Sequence, residues 1–207
     1  MMMLASLLFY FFIVIDNKLV AYEGAILFVL LLVFMVYLIK YKKTAVLDEA
    51  PEDDQALNAS KTFTYLLLGG FSLWLGSETL IKGAVSLAHD LGVSERIISV
   101  SIISLGTSIP ELSASIIAIL NKEKAISLGN LIGSNIFNLL AVMGITSMIH
   151  PVEIQDTGLL SNDIWWMFGI SFLILPLVFF PRGSKLAWID GLILLILYSI
   201  FILPLFI

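Results

Sequence analysis

The chain has 207 residues, 59% hydrophobic and 13% charged, with a mean hydropathy of +1.03. Soluble domains run about 45–50% apolar and about 25% charged, so this composition implies an integral membrane protein. The net charge of −5 arises largely from one acidic segment and no basic patch exists, which excludes a nucleic-acid partner; the absence of cysteine excludes disulfides, thiolate metal sites and a cysteine nucleophile.

Seven apolar stretches follow in chain order, approximately 2–15, 21–39, 63–87, 97–120, 125–149, 164–180 and 186–207. About 20 apolar residues cross the hydrocarbon, so the first is short and the other six are adequate. The first has no Lys or Arg before it and no small-residue cleavage pattern after it, which argues against a signal peptide. Between the second and third lie Asp48, Glu49, Pro51, Glu52, Asp53 and Asp54, without apolar periodicity, and 41–62 reads as a solvated linker. It separates a front part, 1–40, from a five-helix part, 63–207. The expected fold is all-α, a polytopic bundle of transmembrane helices.

Charge sets the expected orientation. With the linker cytoplasmic, inner loops carry eight of the 11 basic residues, including Lys40, Lys42, Lys43, Lys122, Lys124 and Arg182. Outer loops carry only Lys18 and Arg96. The positive-inside rule then places the N-terminus in the cytoplasm and the C-terminus outside, in the plasma (inner) membrane. Trp165, Trp166 and Trp188 fall near predicted boundaries, as aromatic belts do. His89 and His150 also lie near boundaries, too far apart in sequence to suggest a zinc motif.

The third stretch holds an acid, Glu78, followed four residues on by Lys82, the favourable order for an internal ion pair. Its glycines, Gly69, Gly70, Gly76 and Gly83, make it a candidate sliding helix. The fourth holds Gly106-Thr107-Ser108-Ile109-Pro110-Glu111. An acid near the bilayer centre costs roughly 2.5–3.5 kcal/mol on insertion scales and is a functional residue by default. Pro110 removes a backbone donor and crowds the carbonyl four residues back, that of Gly106, so helical bonding is expected to fail beside the acid. Thr107 and Ser108 share a face with Glu111, and Ser104 and Ser115 extend that polar stripe. Hydroxyls, freed carbonyls and a carboxylate are hard oxygen ligands suited to Na⁺ or Ca²⁺.

The fifth stretch repeats the idea without a formal charge: Gly129-Asn130-Leu131-Ile132-Gly133-Ser134-Asn135-Ile136-Phe137-Asn138. Ser134 and Asn138 are four apart, Asn130 and Asn135 add amides at other angles, and Gly129 and Gly133 permit close approach or local unwinding. The short loop 121–124 makes the two stretches an antiparallel hairpin whose broken midpoints are expected near the membrane centre.

Together with Gly92-Val93-Ser94-Glu95, these two motifs resemble the alpha-repeat of the calcium/cation antiporter superfamily, the sodium/calcium exchanger family, and especially its bacterial members. The likeness covers about residue 63 to the C-terminus. It implies ten helices in two inverted halves, each giving one hairpin to a shared site. It also implies that Glu111 is the principal cation carboxylate, that Ser108 and Ser134 offer side-chain oxygens, and that Ser104 and Thr107 offer carbonyls or a hydroxyl. Asn138 stands where some relatives have Asp, removing a third acidic ligand. Ser99 and Ser104 replace the Gly and Ala usual before the GTS motif.

The implied function is secondary active antiport, Na⁺ against Ca²⁺ by alternating access, with no bond made or broken, hence no enzyme and no cofactor beyond the transported ions. The alternatives are H⁺- or K⁺-coupled antiport and a non-transporting truncated membrane subunit. One copy of the paired motifs is present, and the two stretches before the linker resemble the end of a first half. The chain therefore reads as a partial exchanger. Its expected partners are membrane lipid, the transported cations, and either the missing first half or an oligomer partner; the charge bias argues against a dual-topology dimer.

Overall fold

The computed structural model describes residues 1–41, 59–179 and 187–206 and is almost entirely helical. By length and composition, five helical stretches can cross a membrane: Ala21–Tyr41, Glu95–Leu120, Ala125–Ile149, Leu159–Leu177 and Trp188–Leu205. A shorter apolar helix, α1, spans Met2–Asp16. The expected third span is helix α3, Ala59–Asp90, which at 32 residues is long enough. It is not among the five, because Ser72, Ser77, Glu78 and Lys82 dilute its hydropathy. It also begins inside the expected linker; the remainder of that linker beyond residue 41 lies outside the described residues.

Local chemistry sets the helix ends. Asn17 closes α1 in the left-handed region (φ 57°), which asparagine tolerates, with its N–H on the Ile13 carbonyl. Helix α2, Ala21–Tyr41, is capped at its start by the Glu23 carboxylate, which accepts the Val20 N–H at 3.0 Å. Gly92 (φ 73°) ends α3: its N–H reaches the His89 carbonyl and the Val93 N–H the Ala88 carbonyl, a Schellman turn. Lys122 (φ 66°) repeats that turn, with its N–H on Ile119 and the Glu123 N–H on Ala118, and so closes the predicted 121–124 hairpin loop. Between these turns run α4 (Glu95–Ile97), a π-helical segment Ile98–Ile103, α5 (Ser104–Thr107) and α6 (Ile109–Leu120). Beyond them come α7 (Lys124–Phe137), a second π-helical segment Asn138–Val142, and α8 (Met143–Ile149). A third π-helical segment, Leu159–Asp163, leads into α9, Ile164–Phe179, and α10 spans Trp188–Ile202.

The chain forms two compact units. One comprises residues 1–41, 132–179 and 187–201; the other comprises 59–131 and 202–206. In the first, α1 and α2 pack with the stretch after residue 135 around Ala5, Phe9, Ile13, Leu19, Leu27, Ile136, Leu140 and Ile164. Two loops are clasped by a short antiparallel ribbon, β1 (Lys18–Leu19) against β2 (Val152–Glu153), with the Ile154 N–H on the Asn17 carbonyl at 2.7 Å. The ribbon brings together the loop after α1 and the loop after α8. Helix α2 crosses α8 with backbones in contact. A Cβ on Gly24 would overlap Ser147 Oγ and lie 2.5 Å from the Gly144 carbonyl oxygen, while one on Gly144 would lie 2.9 Å from the Gly24 carbonyl oxygen.

In the second unit, α3 packs along the Ile98–Ile103 segment, α5 and α6. Glu78 and Lys82 form the expected ion pair at 3.1 Å on an accessible face of α3.

The α2–α8 crossing leaves no room for a side chain. Gly24→Ala is expected to lower the stability of the purified protein by about 1–3 kcal/mol through overpacking, read as an earlier thermal unfolding transition in detergent.

Candidate cation site

The fourth span breaks where Pro110 requires. Helix α5 stops at Thr107, Ser108 forms a turn at the edge of the right-handed region (φ −90°, ψ −2°), and α6 restarts with Pro110 in its first turn, where a missing N–H costs nothing. Glu111 occupies the same first turn of α6.

The hydroxyls before the break are bonded back to their own helix. Ser104 Oγ donates to the Val100 carbonyl, Thr107 Oγ1 to Ile103 at 3.0 Å, and Ser108 Oγ to Ser104 at 2.9 Å. Each hydroxyl hydrogen is thereby committed, and each oxygen turns its lone pairs away from the helix. All three residues are exposed on the surface of their unit. What they present is acceptor oxygen, the chemistry a hard cation takes.

Glu111 is half-buried and its Oε2 is a fully buried carboxylate oxygen without a hydrogen-bond partner. The other buried acids differ. Glu23 caps α2, and Asp190 caps α10 by accepting the Ala187 N–H at 2.6 Å. An orphaned carboxylate oxygen costs about 1–3 kcal/mol or more for a charged group, so Glu111 is the acid whose placement packing does not explain.

Two partners organise the break. Asn130 uses Nδ2 to donate to both the Glu111 carbonyl and Ser115 Oγ, each at 3.0 Å, joining α7 to α6 across the hairpin. Ser77, buried on α3, donates its hydroxyl to the Gly106 carbonyl at 2.6 Å. The Gly106 carbonyl expected to be freed for ligation is thus engaged by a side chain. Sequence reasoning missed Ser77 because a lone serine in a glycine-rich span carries no distinguishing signal; the one clue was that Pro110 leaves Gly106 in need of a donor.

The fifth span departs from expectation. Helix α7 runs unbroken through Gly129 and Gly133, and a Cβ built on either would meet nothing within 4 Å beyond its own helix backbone. Glycine permits unwinding but removes no donor, so the helix continues. Irregularity begins instead at Asn138, the first residue of the second π-helical segment. Ser104, Thr107, Ser108 and Glu111 belong to one compact unit, and Ser134 and Asn138 to the other. Ser134 is half-buried and Asn138 exposed. Among the described residues no group of three or more His, Cys, Asp or Glu comes together.

An all-α polytopic chain with a discontinuous span, a carboxylate at the restart and acceptor oxygens before it has the anatomy of a membrane ion-handling protein. Residues 61–207 match the family described as sodium/calcium exchanger protein, and the chain belongs to that family. It is 36% identical over 96% of its length to a putative antiporter, CaxA, of Alkalimonas amylolytica, of which it covers 64%. It is 39% identical over 49% of its length to the sodium/calcium exchanger MaX1 of Methanosarcina acetivorans, covering 29% of it. With the mouse sodium/potassium/calcium exchanger 1 it shares 30% identity over 60% of its length, covering 11%. The chain thus spans less than two thirds of these curated relatives. No solved structure matches it.

Replacing Asn130 by Ala removes both amide donors to α6. The variant is expected to lose about 1–3 kcal/mol of stability, and amide hydrogen exchange in 111–116 should rise more than in α3.

Proposed function

We propose that this chain forms the second-half share of a cation antiporter that exchanges Na⁺ for Ca²⁺ across the membrane. The observation that carries this reading is the buried, unpartnered Oε2 of Glu111 beside a proline-broken helix whose hydroxyl oxygens face outward. Family membership and the relatives' names support the same reading. Glu111 supplies the charge that offsets ion dehydration, and Ser104, Thr107 and Ser108 supply neutral oxygens. Ser134 and Asn138 are assigned to the same coordination sphere on the resemblance alone. Na⁺ and Ca²⁺ compete for one carboxylate, and that competition couples their fluxes.

Ca²⁺ takes about 6–8 oxygens, and one hairpin with one acid supplies about half of them. The remainder is assigned to a partner half of opposite topology. The resting orientation proposed is N-terminus cytoplasmic, in the plasma (inner) membrane, on the charge bias of the loops.

The decisive experiment reconstitutes the chain in vesicles, alone and together with a first half bearing the other hairpin. Na⁺-dependent Ca²⁺ uptake is expected only from the assembly, and Glu111→Gln is expected to abolish it while leaving insertion intact. Near-normal uptake by the Gln variant would remove Glu111 from the site. Uptake driven by K⁺ or pH gradients alone would instead assign a different coupling ion.

Orientation is checked separately. An impermeant thiol reagent should label a cysteine placed at Thr157 in intact cells and leave one at Gln55 unlabelled; the opposite pattern reverses the membrane sidedness.

A further inference from the structure

We propose that Ser77 is a positioning residue for the cation site: its hydroxyl holds the carbonyl that Pro110 deprives of its helical donor, and so sets the aim of the segment carrying Glu111. The importance of that aim for ion binding rests on the antiport reading above. The geometric part stands without it.

Three observations converge on this contact. Pro110 has no N–H for the Gly106 carbonyl, and the hydrocarbon interior offers no water to replace it. Ser77 Oγ donates to that carbonyl at 2.6 Å across 29 residues of sequence, from a side chain only 7% exposed. One turn further along α3, Ile81 lies where a Gly106 side chain would begin: a Cβ there would overlap Ile81 Cγ1 and sit 2.9 Å from Cδ1. Residues 77 and 81 thus give α3 a two-point seat on the break, one point polar and one steric. Gly106 serves both, since it lacks a side chain and carries the carbonyl.

The seat lies immediately before the turn at Ser108 that ends α5 and leads into Glu111. Fixing Gly106 fixes where that turn starts and hence where α6 points the carboxylate. The bond also keeps the Gly106 oxygen engaged, so the oxygens presented beside Glu111 are those of the back-bonded hydroxyls. Because Ser77 belongs to α3 and Gly106 to the following span, any displacement of α3 along its axis acts on this bond. The ion-binding segment and α3 are thereby mechanically linked.

The test compares Ser77→Ala with Ser77→Thr, which retains the hydroxyl, in the full chain. Amide hydrogen exchange in 106–112 should be about tenfold faster in the Ala variant, the effect expected of one lost buried hydrogen bond, and near wild type in the Thr variant. In vesicles containing the chain and its first half, the Ca²⁺ concentration for half-maximal exchange should rise about tenfold for Ala and less than twofold for Thr. Maximal rate should change little in either. Unchanged exchange protection in the Ala variant, or equal impairment of Ala and Thr, would overturn the proposal and leave Ser77 a packing residue. An absence of Na⁺-dependent exchange from wild type would instead overturn the antiport reading, and the hydrogen-exchange comparison would still decide on Ser77.

Discussion

A proline in the middle of a membrane span leaves one carbonyl without its helical donor, and the bilayer core does not supply a substitute. Much of the second unit can be read as the answer to that single deficit. Gly106 takes its hydrogen bond from Ser77, the chain turns at Ser108, and α6 restarts with its acid in the first turn. The π-helical segment Ile98–Ile103 ends one short helical turn, Ser104–Thr107, before the break, so the span departs from regular α-helix both before and at it. Such segments often mark functional sites because they free backbone groups and rotate the side chains beyond them.

The hydroxyls add a second layer of control. A serine or threonine in a cavity wall can donate or accept, and a donor facing inward would repel a cation. Here each hydrogen is spent on the carbonyl one turn back, so Ser104, Thr107 and Ser108 behave as acceptors.

What was legible in the sequence follows from how each residue makes its contribution. Pro110 and Glu111 are chemically anomalous in an apolar run, and both lie where the sequence placed them, at a true discontinuity. Five of the spans were legible because hydropathy records them directly; α3 falls outside them, and it starts early because Ser60, Lys61 and Thr62 are tolerated in a helix even though they are not apolar. The glycines of the fifth span misled because they allow a distortion without compelling one, and α7 kept its hydrogen bonds. The identity of Ser77 as the donor and the π-helical segments were not legible. A pairing across 29 residues and a shift from i+4 to i+5 bonding both arise from packing, which no local pattern encodes.

The ribbon joining Lys18–Leu19 to Val152–Glu153 has a consequence for biosynthesis. Its halves are separated by more than half the chain, and the intervening stretch includes all of residues 59–131, most of the described part of the other compact unit. Leu19, fully buried once the ribbon forms, can find its core partners Ile136, Leu140 and Ile164 only after they have been made. Helices α1 and α2 therefore cannot complete their core until the residues after 135 are made, whereas residues 59–131 have local contacts available earlier. Closing so long a loop is entropically costly and slow. Relative to residues 59–131, α1 and α2 are thus made earlier and packed later.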